Sequence, residues 1–361
     1  MSKWMNKWMC KPLTVGPLAA ALLVGSVTMT AQADGGADAS DASAVEAVKR
    51  ISAMDFTRSQ LNDILLPAHQ QLAQASAALS TASRAFCAAP ASGTFAAMQA
   101  QYVNTLLAWR TIEIAPLGPS AEPEVGRVME GQAQSPAQIL TLIPQQTSKD
   151  MVDGQAAFEA TKLPAWGIGF KAIESLLYTD KPAQSIERLR PAAACSYLVW
   201  QTQVVSYQAE ILRRAWQGLS RGVAYDMSYP RTYQTQLFNR MIEGARDLEH
   251  KVGLHQPQWL DQRAGATVPA LKANVAGLRA LLTGEPRAIG LDDFMLSRED
   301  QPRWTLIDNA LKALEAALPA NDKALTNAQA RQIVAAANRL ADVLEKDLAP
   351  AMSIKIGKVK R

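Results

Sequence analysis

Apolar residues recur along this chain at intervals of three and four, the spacing that lines one face of an α-helix. Leu61, Leu65, Leu72 and Leu79 form a first stripe. It passes Pro67, whose missing N–H and bulky ring kink or restart a helix. Phe95, Met98, Tyr102, Leu106 and Trp109 form a second stripe, and Trp166, Phe170, Ile173 and Leu177 a third. Leu198, Val205, Leu212 and Trp216 form a fourth. The turn-rich segment SRGVAYDMSYPR, Ser220–Arg231, then breaks the pattern. It resumes through Leu237, Met241, Leu248 and Val252, then through Val268, Leu271, Val275, Leu278 and Leu282. Trp304, Ile307, Leu311, Leu314 and Leu318 follow, and Ile333, Leu340, Leu344 and Leu348 close the series. No segment alternates apolar and polar residues for long enough to read as a strand.

The pattern predicts an all-α protein of two helical bundles, four main helices on each side of the break, with the stripes turned inward. The boundaries fall at residues 34–219 for the N-terminal bundle and 220–361 for the C-terminal one. An insertion at 117–150 is long for a bundle. Its proline and glycine content predicts a loop with short helices, packed over one end of the first bundle. Composition agrees, because the chain is 48% hydrophobic and poor in aromatics. Alanine and leucine, which lose little freedom in a helix, are its common residues.

The first 33 residues read differently. Lys3, Lys7 and Lys11 make a basic start, an apolar run extends from Leu13 to Met29, and Ala31-Gln32-Ala33 fits a small-residue cleavage site. Residues 1–33 are therefore expected to be a cleaved secretory signal, with Asp34 as the mature start. A membrane anchor is the alternative. Gly16, Pro17, Gly25, Ser26 and Thr28 make a poor spanning helix, which wants about 20 apolar residues. Cys10 precedes the apolar run, which does not suit a lipid-bearing cysteine at the cleavage point. Cleavage lowers the formal charge from +4 to +1, so the mature chain does not read as a nucleic-acid binder. Cys87 and Cys195 remain, and an even pair in an oxidising compartment predicts one disulfide.

Signatures of familiar chemistry are missing from the sequence. There is no His-Glu-x-x-His zinc motif, no phosphate-binding P-loop and no Gly-x-Ser-x-Gly elbow. The three histidines are His69, His250 and His255. Candidate chemistry gathers instead in WGIGFKAIESLLY, Trp166–Tyr178. On a helical wheel Phe170, Ile173 and Leu177 share one side, while Lys171, Glu174, Ser175 and Tyr178 share the other. Lys171 and Glu174 are one turn apart. One reading is a solvated face with an ion pair worth under about 1 kcal/mol. Gly167 and Gly169 favour another, since each costs about 1 kcal/mol relative to alanine inside a helix. Close approach of another backbone or of a ligand explains them better. Both readings stand at this point. A second candidate is WRTIEIAPLGP, where Trp109, Arg110 and Glu113 end a helix before Pro116 and Gly118. A third is GLDDFM, where Asp292 and Asp293 open a short helix and complement its dipole.

These three segments, in this order behind a signal-like start, resemble the imelysin-like family. Members carry a Gly-x-His-x-x-Glu motif. Gly169-Phe170-Lys171-Ala172-Ile173-Glu174 is similar to it, with Lys171 in the histidine position. AWRTIEIAPLGP and IGLDDFM are similar to two further family segments, and LEHKVGLH is a weaker match to a lysine-containing loop. The resemblance implies two helical bundles with a site at their junction, export to the periplasm and a link to iron acquisition. It also implies iron or another divalent metal as cofactor, since members are classed as metallopeptidases and relatives bind iron. Glu174 carries over as a ligand position. A protonated lysine, however, has three donors and no lone pair for a metal. Two function classes follow. In the first, a non-catalytic binding or accessory protein holds a small ligand or iron species through Gly169, Lys171, Glu174, Trp109, Arg110, Glu113, Asp292 and Asp293, and serves an envelope iron-uptake partner. In the second, a metallopeptidase uses a rearranged metal site of Glu174 and Asp293. The lysine favours the first. No residue is assigned a catalytic role, and neither a nucleic acid nor a stable membrane span is expected.

Overall fold

The first apolar stripe lies on an uninterrupted helical run. In the computed structural model, α1 (Ala53–Ser59) passes through a π-helical turn (Gln60–Leu65) into α2 (Leu66–Ala88). Right-handed helical dihedrals persist at Ser59, Leu65 and Leu66. Pro67 sits in the first turn of α2. A widened turn just ahead of a proline tolerates its missing N–H, so the expected kink takes the form of a π turn and the helix carries on. The structure describes residues 50–131, 138, 151–152, 155–156, 167–178, 182–223, 225–253, 259–284, 287–320 and 325–357. The expected signal at 1–33, Trp166, His255 and most of 132–150 lie outside these residues.

The protein is all-α. The second stripe forms α3 (Ser92–Glu113), which ends ahead of Pro116 as expected. The insertion then begins with a 3₁₀ turn (Gly118–Ala121) and a short helix, α4 (Pro123–Met129). A two-residue antiparallel ladder pairs β1 (Met151–Val152) with β2 (Gln155–Ala156). α5 (Gly169–Leu177) carries the third stripe, and α6 (Pro182–Leu189) leads to α7 (Ala192–Val223), a helix of 32 residues that carries the fourth. The turn-rich break separates α7 from α8 (Tyr229–Lys251). Then come α9 (Thr267–Thr283), the short α10 (Leu291–Leu296), α11 (Gln301–Ala317) and α12 (Asn327–Val343). A second π turn (Leu344–Leu348) and a last helical turn, α13 (Ala349–Ala351), complete the order. Among the described residues no helix is long and apolar enough to cross a membrane.

Val48–Arg361 forms one compact unit with two clusters of buried apolar side chains. One cluster draws on α2 through α7, with Leu72, Leu79, Tyr102, Phe170, Leu189 and Leu198 among its buried members. The other draws on α8 through α12, and it also takes Phe56, Leu61 and Leu65 from the front of the chain and Trp216 and Val223 from the end of α7. Helix α3 passes from one to the other: Trp109 and Ile112 belong to the first cluster, Ile114, Ala115 and Leu117 to the second. Two glycines let α8 and α9 close on this point. A Cβ at Gly244 would overlap the Ile114 carbonyl, and one at Gly277 would overlap the Thr111 carbonyl. The last turn of α3 is thereby fixed between the two cores.

Cys87 is bonded to Cys195, with Cα atoms 5.7 Å apart. The bridge ties the last turn of α2 to the first turn of α7, across a sequence separation of 108.

Candidate functional site

A guanidinium buried between two apolar cores must find its partners there, because an unpaired charge in such a place is costly. Arg110, in the last turn of α3, is fully buried. Its Nε and Nη2 donate to Asp261 Oδ2 and Oδ1 at 2.8 and 2.7 Å. Its Nη1 and Nη2 donate to Glu130 Oε2 and Oε1 at 2.7 and 3.0 Å. Both carboxylates are thus gripped by two parallel bonds, the geometry that suits arginine best. Glu113, one turn on, stands 3.1 Å from Nη1, so the expected intrahelical pair is present. It also meets Lys251 Nζ at 2.5 Å and Asn274 Nδ2 at 3.2 Å, and all three contacts use Oε1. Asn274 secures the backbone as well, donating to the Arg110 carbonyl at 2.5 Å. Trp109 donates its indole N–H to Glu130 Oε2 at 3.2 Å.

Asp261 reaches Arg110 from the segment between α8 and α9, with φ at +59°. That left-handed conformation is uncommon for a residue with a side chain, though aspartate tolerates it better than most. Burial is the largest cause raising the Asp261 carboxyl above its usual range; Arg110 opposes this, while Glu130 and Glu113 add to it. Burial would raise Glu130 too, but the charge and hydrogen bonds of Arg110 outweigh it and hold that carboxyl down to about 2.

Gly169 explains how α5 joins this hub. Its φ is +82°, and an added Cβ would stand 2.6 Å from the Met129 carbonyl oxygen. Only glycine permits this approach to the chain at the end of α4 without strain. The Lys171 N–H then donates to the Glu130 carbonyl at 3.3 Å, and Lys171 Nζ lies 3.6 Å from Glu130 Oε1. The backbone approach anticipated for this glycine is present. The ion pair expected between Lys171 and Glu174 is not, because the ammonium turns to Glu130. Glu174 is buried and accepts the Ala264 N–H at 3.0 Å through Oε1. Burial first, then the Asp261 carboxylate, push its pKa up to about 7, against the pull of Ala264, Arg263 and Arg110.

The remaining candidates lie elsewhere. Asp292 and Asp293 open α10 as expected, and Asp293 Oδ2 accepts the Gly290 N–H at 3.2 Å. Asp293 thus caps a helix in the second core, with Leu291, Phe294 and Met295 buried beside it. Among the described residues no three or more His, Cys, Asp or Glu side chains stand close enough to hold a metal ion. Glu130, Asp261, Lys251 and Asn274 are the site residues that sequence reasoning missed. Lys251 alone had a signal, in LEHKVGLH.

Beside the hub opens a cleft of ≈ 480 Å³. Trp109, Glu113 and Glu130 line it from the hub, with Ser120, Glu122 and Arg127 from the start of the insertion. Ser120 is held from behind. His69 Nε2 lies 2.7 Å from its Oγ, the Trp216 indole donates to the same oxygen at 3.0 Å, and His69 Nδ1 lies 2.7 Å from the Leu65 carbonyl. Burial lowers the His69 pKa to about 4, so this ring is a neutral strut between α2 and the 3₁₀ turn.

Comparison with known proteins agrees with the fold. A peptidase family model described as imelysin matches residues 65–346. An imelysin-like protein from Psychrobacter arcticum 273-4 superposes with a TM-score of 0.67 at 18% identity, over 86% of this chain and 99% of that one. A candidate iron-regulated protein A precursor from Parabacteroides distasonis ATCC 8503 superposes with a TM-score of 0.65 at 11% identity, over 82% and 94%. No curated protein matches by sequence.

Proposed function

The chain belongs to the imelysin family, and on that premise we propose that it is an exported, non-catalytic binding or accessory protein of iron acquisition, with the cleft beside Arg110 as its ligand site. One observation carries the proposal. The hub's acids are answered internally: Glu113, Glu130 and Asp261 face Arg110, Lys171 and Lys251. Both oxygens of Glu130 and both of Asp261 already accept hydrogen bonds from Arg110. The position where the family places an imidazole holds an ammonium, 3.6 Å from Glu130. This donor set does not fit iron or another divalent metal, which needs uncommitted oxygen or nitrogen lone pairs. Glu174 and Asp293, the oxygen pair considered from sequence, each accept a backbone N–H through one oxygen, from Ala264 and Gly290, and neither belongs to a cluster of three or more ligand side chains among the described residues. The ligand is accordingly a small molecule, or an iron species already complexed, instead of a bare ion. The iron link rests on the family and on likeness to a protein named for iron regulation. Export rests on the signal-like residues 1–33.

Metal analysis of the processed protein, purified without chelator, tests the site. The expected result is no stoichiometric metal, with Lys171→His gaining affinity for ferric or zinc ions over wild type. Tight binding by wild type that Glu174→Ala abolishes, together with metal-dependent peptide cleavage, would restore the metallopeptidase reading. Growth of a deletion strain under iron limitation tests the role, and growth indifferent to iron supply counts against it.

A further inference from the structure

The turn between α7 and α8 carries the two most exposed large apolar side chains of the described residues. Tyr225 is 90% exposed and Met227 is 80% exposed. Neither projects from loose chain. The Tyr225 N–H donates to the Gly222 carbonyl at 3.0 Å, and the Asp226 and Tyr229 N–H groups donate to Val223 and Asp226 carbonyls at 3.3 Å each. Asp226 Oδ1 accepts both the N–H and the hydroxyl of Ser228, at 2.9 and 2.7 Å. Val223, Pro230 and Tyr233 are buried beneath. The fold therefore holds these two side chains out at the end of its longest described helix, where each forgoes burial that would stabilise it. Arg221 and Arg231 flank the turn, both exposed and neither in an ion pair among the described residues. The one acid of the segment, Asp226, is turned back onto Ser228.

We propose that this turn is a peripheral docking tip for an anionic phospholipid bilayer, with Tyr225 and Met227 entering the headgroup region and Arg221 and Arg231 meeting lipid phosphates. An apolar wedge beside unpaired cations suits that interface, where an aromatic ring with a polar end is at home. A protein partner is less suited. Two such side chains offer roughly 300 Å² of apolar surface, whereas a stable protein interface buries about 800 Å² per partner. The contact is reversible and crosses nothing. It is also independent of the proposed function, since the tip shares no residue with the cleft.

Flotation of the processed full-length protein with vesicles tests this. Retention is expected on phosphatidylglycerol–phosphatidylethanolamine vesicles, falling as salt rises, and not on phosphatidylcholine vesicles. Arg221→Gln and Arg231→Gln should each weaken retention about fivefold, and Tyr225→Ser with Met227→Ser should abolish it. Unchanged thermal unfolding would show that these variants stay folded. No retention at low salt, equal retention on phosphatidylcholine, or retention that survives all four substitutions would overturn the proposal. So would a dimer in sedimentation velocity that needs Tyr225 and Met227.

Discussion

Replacing Arg110 with methionine keeps a long apolar stem and withdraws the guanidinium. Glu113 would retain Lys251, and Glu130 would retain Lys171 and Trp109. Asp261 would lose every ion-pair partner it has among the described residues, with its side chain only 2% exposed. Leaving one buried charge unpaired costs about 3–5 kcal/mol. The loss should not double, although Arg110 grips two carboxylates, because only one of them is stranded. Native domains are stable by only about 5–15 kcal/mol, so Arg110→Met should leave the fold marginal. Urea unfolding followed by far-ultraviolet circular dichroism measures it. The pH dependence adds a sharper test. The Asp261 carboxyl is already raised by burial, and removing its cation raises it further. The stranded acid takes up a proton as pH falls, so the deficit of the variant should shrink towards acid pH. Adding Asp261→Asn removes the stranded charge in a residue that tolerates positive φ, and should recover more than half of the loss. A single-variant cost below about 1 kcal/mol, or a double variant no better than the single, would refute the view that the hub holds α3 to the 259–266 segment.

Glu174→Gln should flatten the dependence of stability on pH. The native carboxyl titrates near 7 against 4.5 unfolded. The native state therefore holds its proton more tightly, and that stabilisation is full below about 4.5 and lost as pH rises through about 7. The glutamine variant should melt above wild type at pH 8, by an amount on the order of 3 kcal/mol at most, and thermal melts across pH 5–8 should show the curves converging at acid pH. Gly169→Ala should cost about 1–3 kcal/mol from backbone strain alone, plus the overlap with the Met129 carbonyl; a melting temperature equal to wild type would contradict the packing described. Cys87→Ser with Cys195→Ser should cost about 4–5 kcal/mol on the chain-entropy model for a loop this long, read by denaturant unfolding without reductant, and two free thiols in the wild type would remove the premise.

The helices were legible because burial imposes a period. Phe95, Met98, Tyr102 and Leu106 are all buried, as are Leu237, Met241 and Leu248. Gly169 was legible as a close approach, since a glycine in a helical pattern needs a reason. The disulfide followed from the even cysteine count and the expectation of export. The partner of Lys171 was not legible. Local spacing offers Glu174 one turn away, while Glu130 lies 41 positions earlier, brought in by the contact at Gly169. Asp261 escaped notice for a similar reason: it sits between helices in DQRAG, where an acid looks like an ordinary loop residue. Periodicity reports which face is inward, but which charges meet across that interior depends on how helices cross. The short α4 and α6 carry too few turns for a period to show.

The lysine at position 171 makes sense only with the rest of the hub. Three carboxylates, Glu113, Glu130 and Asp261, lie within contact distance of three cations, Arg110, Lys171 and Lys251. Glu174, with a pKa of about 7, adds about half a negative charge near neutral pH, and the Arg263 cation opposes it. Asp247 is half exposed, 3.9 Å from Lys251, and is screened by water. A neutral imidazole at position 171 would leave the hub one unit negative and would supply a lone pair beside Glu130. Both changes favour a metal cation. The ammonium removes both at once, by cancelling the charge and by presenting donors in place of a lone pair. Lys171→His is thus a change in net charge as much as in ligand type. Lys171→Met, whose soft thioether is a poor ligand for hard cations, isolates the first of these effects. If charge balance is what excludes cations, Lys171→Met should already bind divalent ions more tightly than wild type, and Lys171→His should exceed it. If Lys171→Met stays indistinguishable from wild type while Lys171→His binds, the missing lone pair is the whole reason and the charge argument fails.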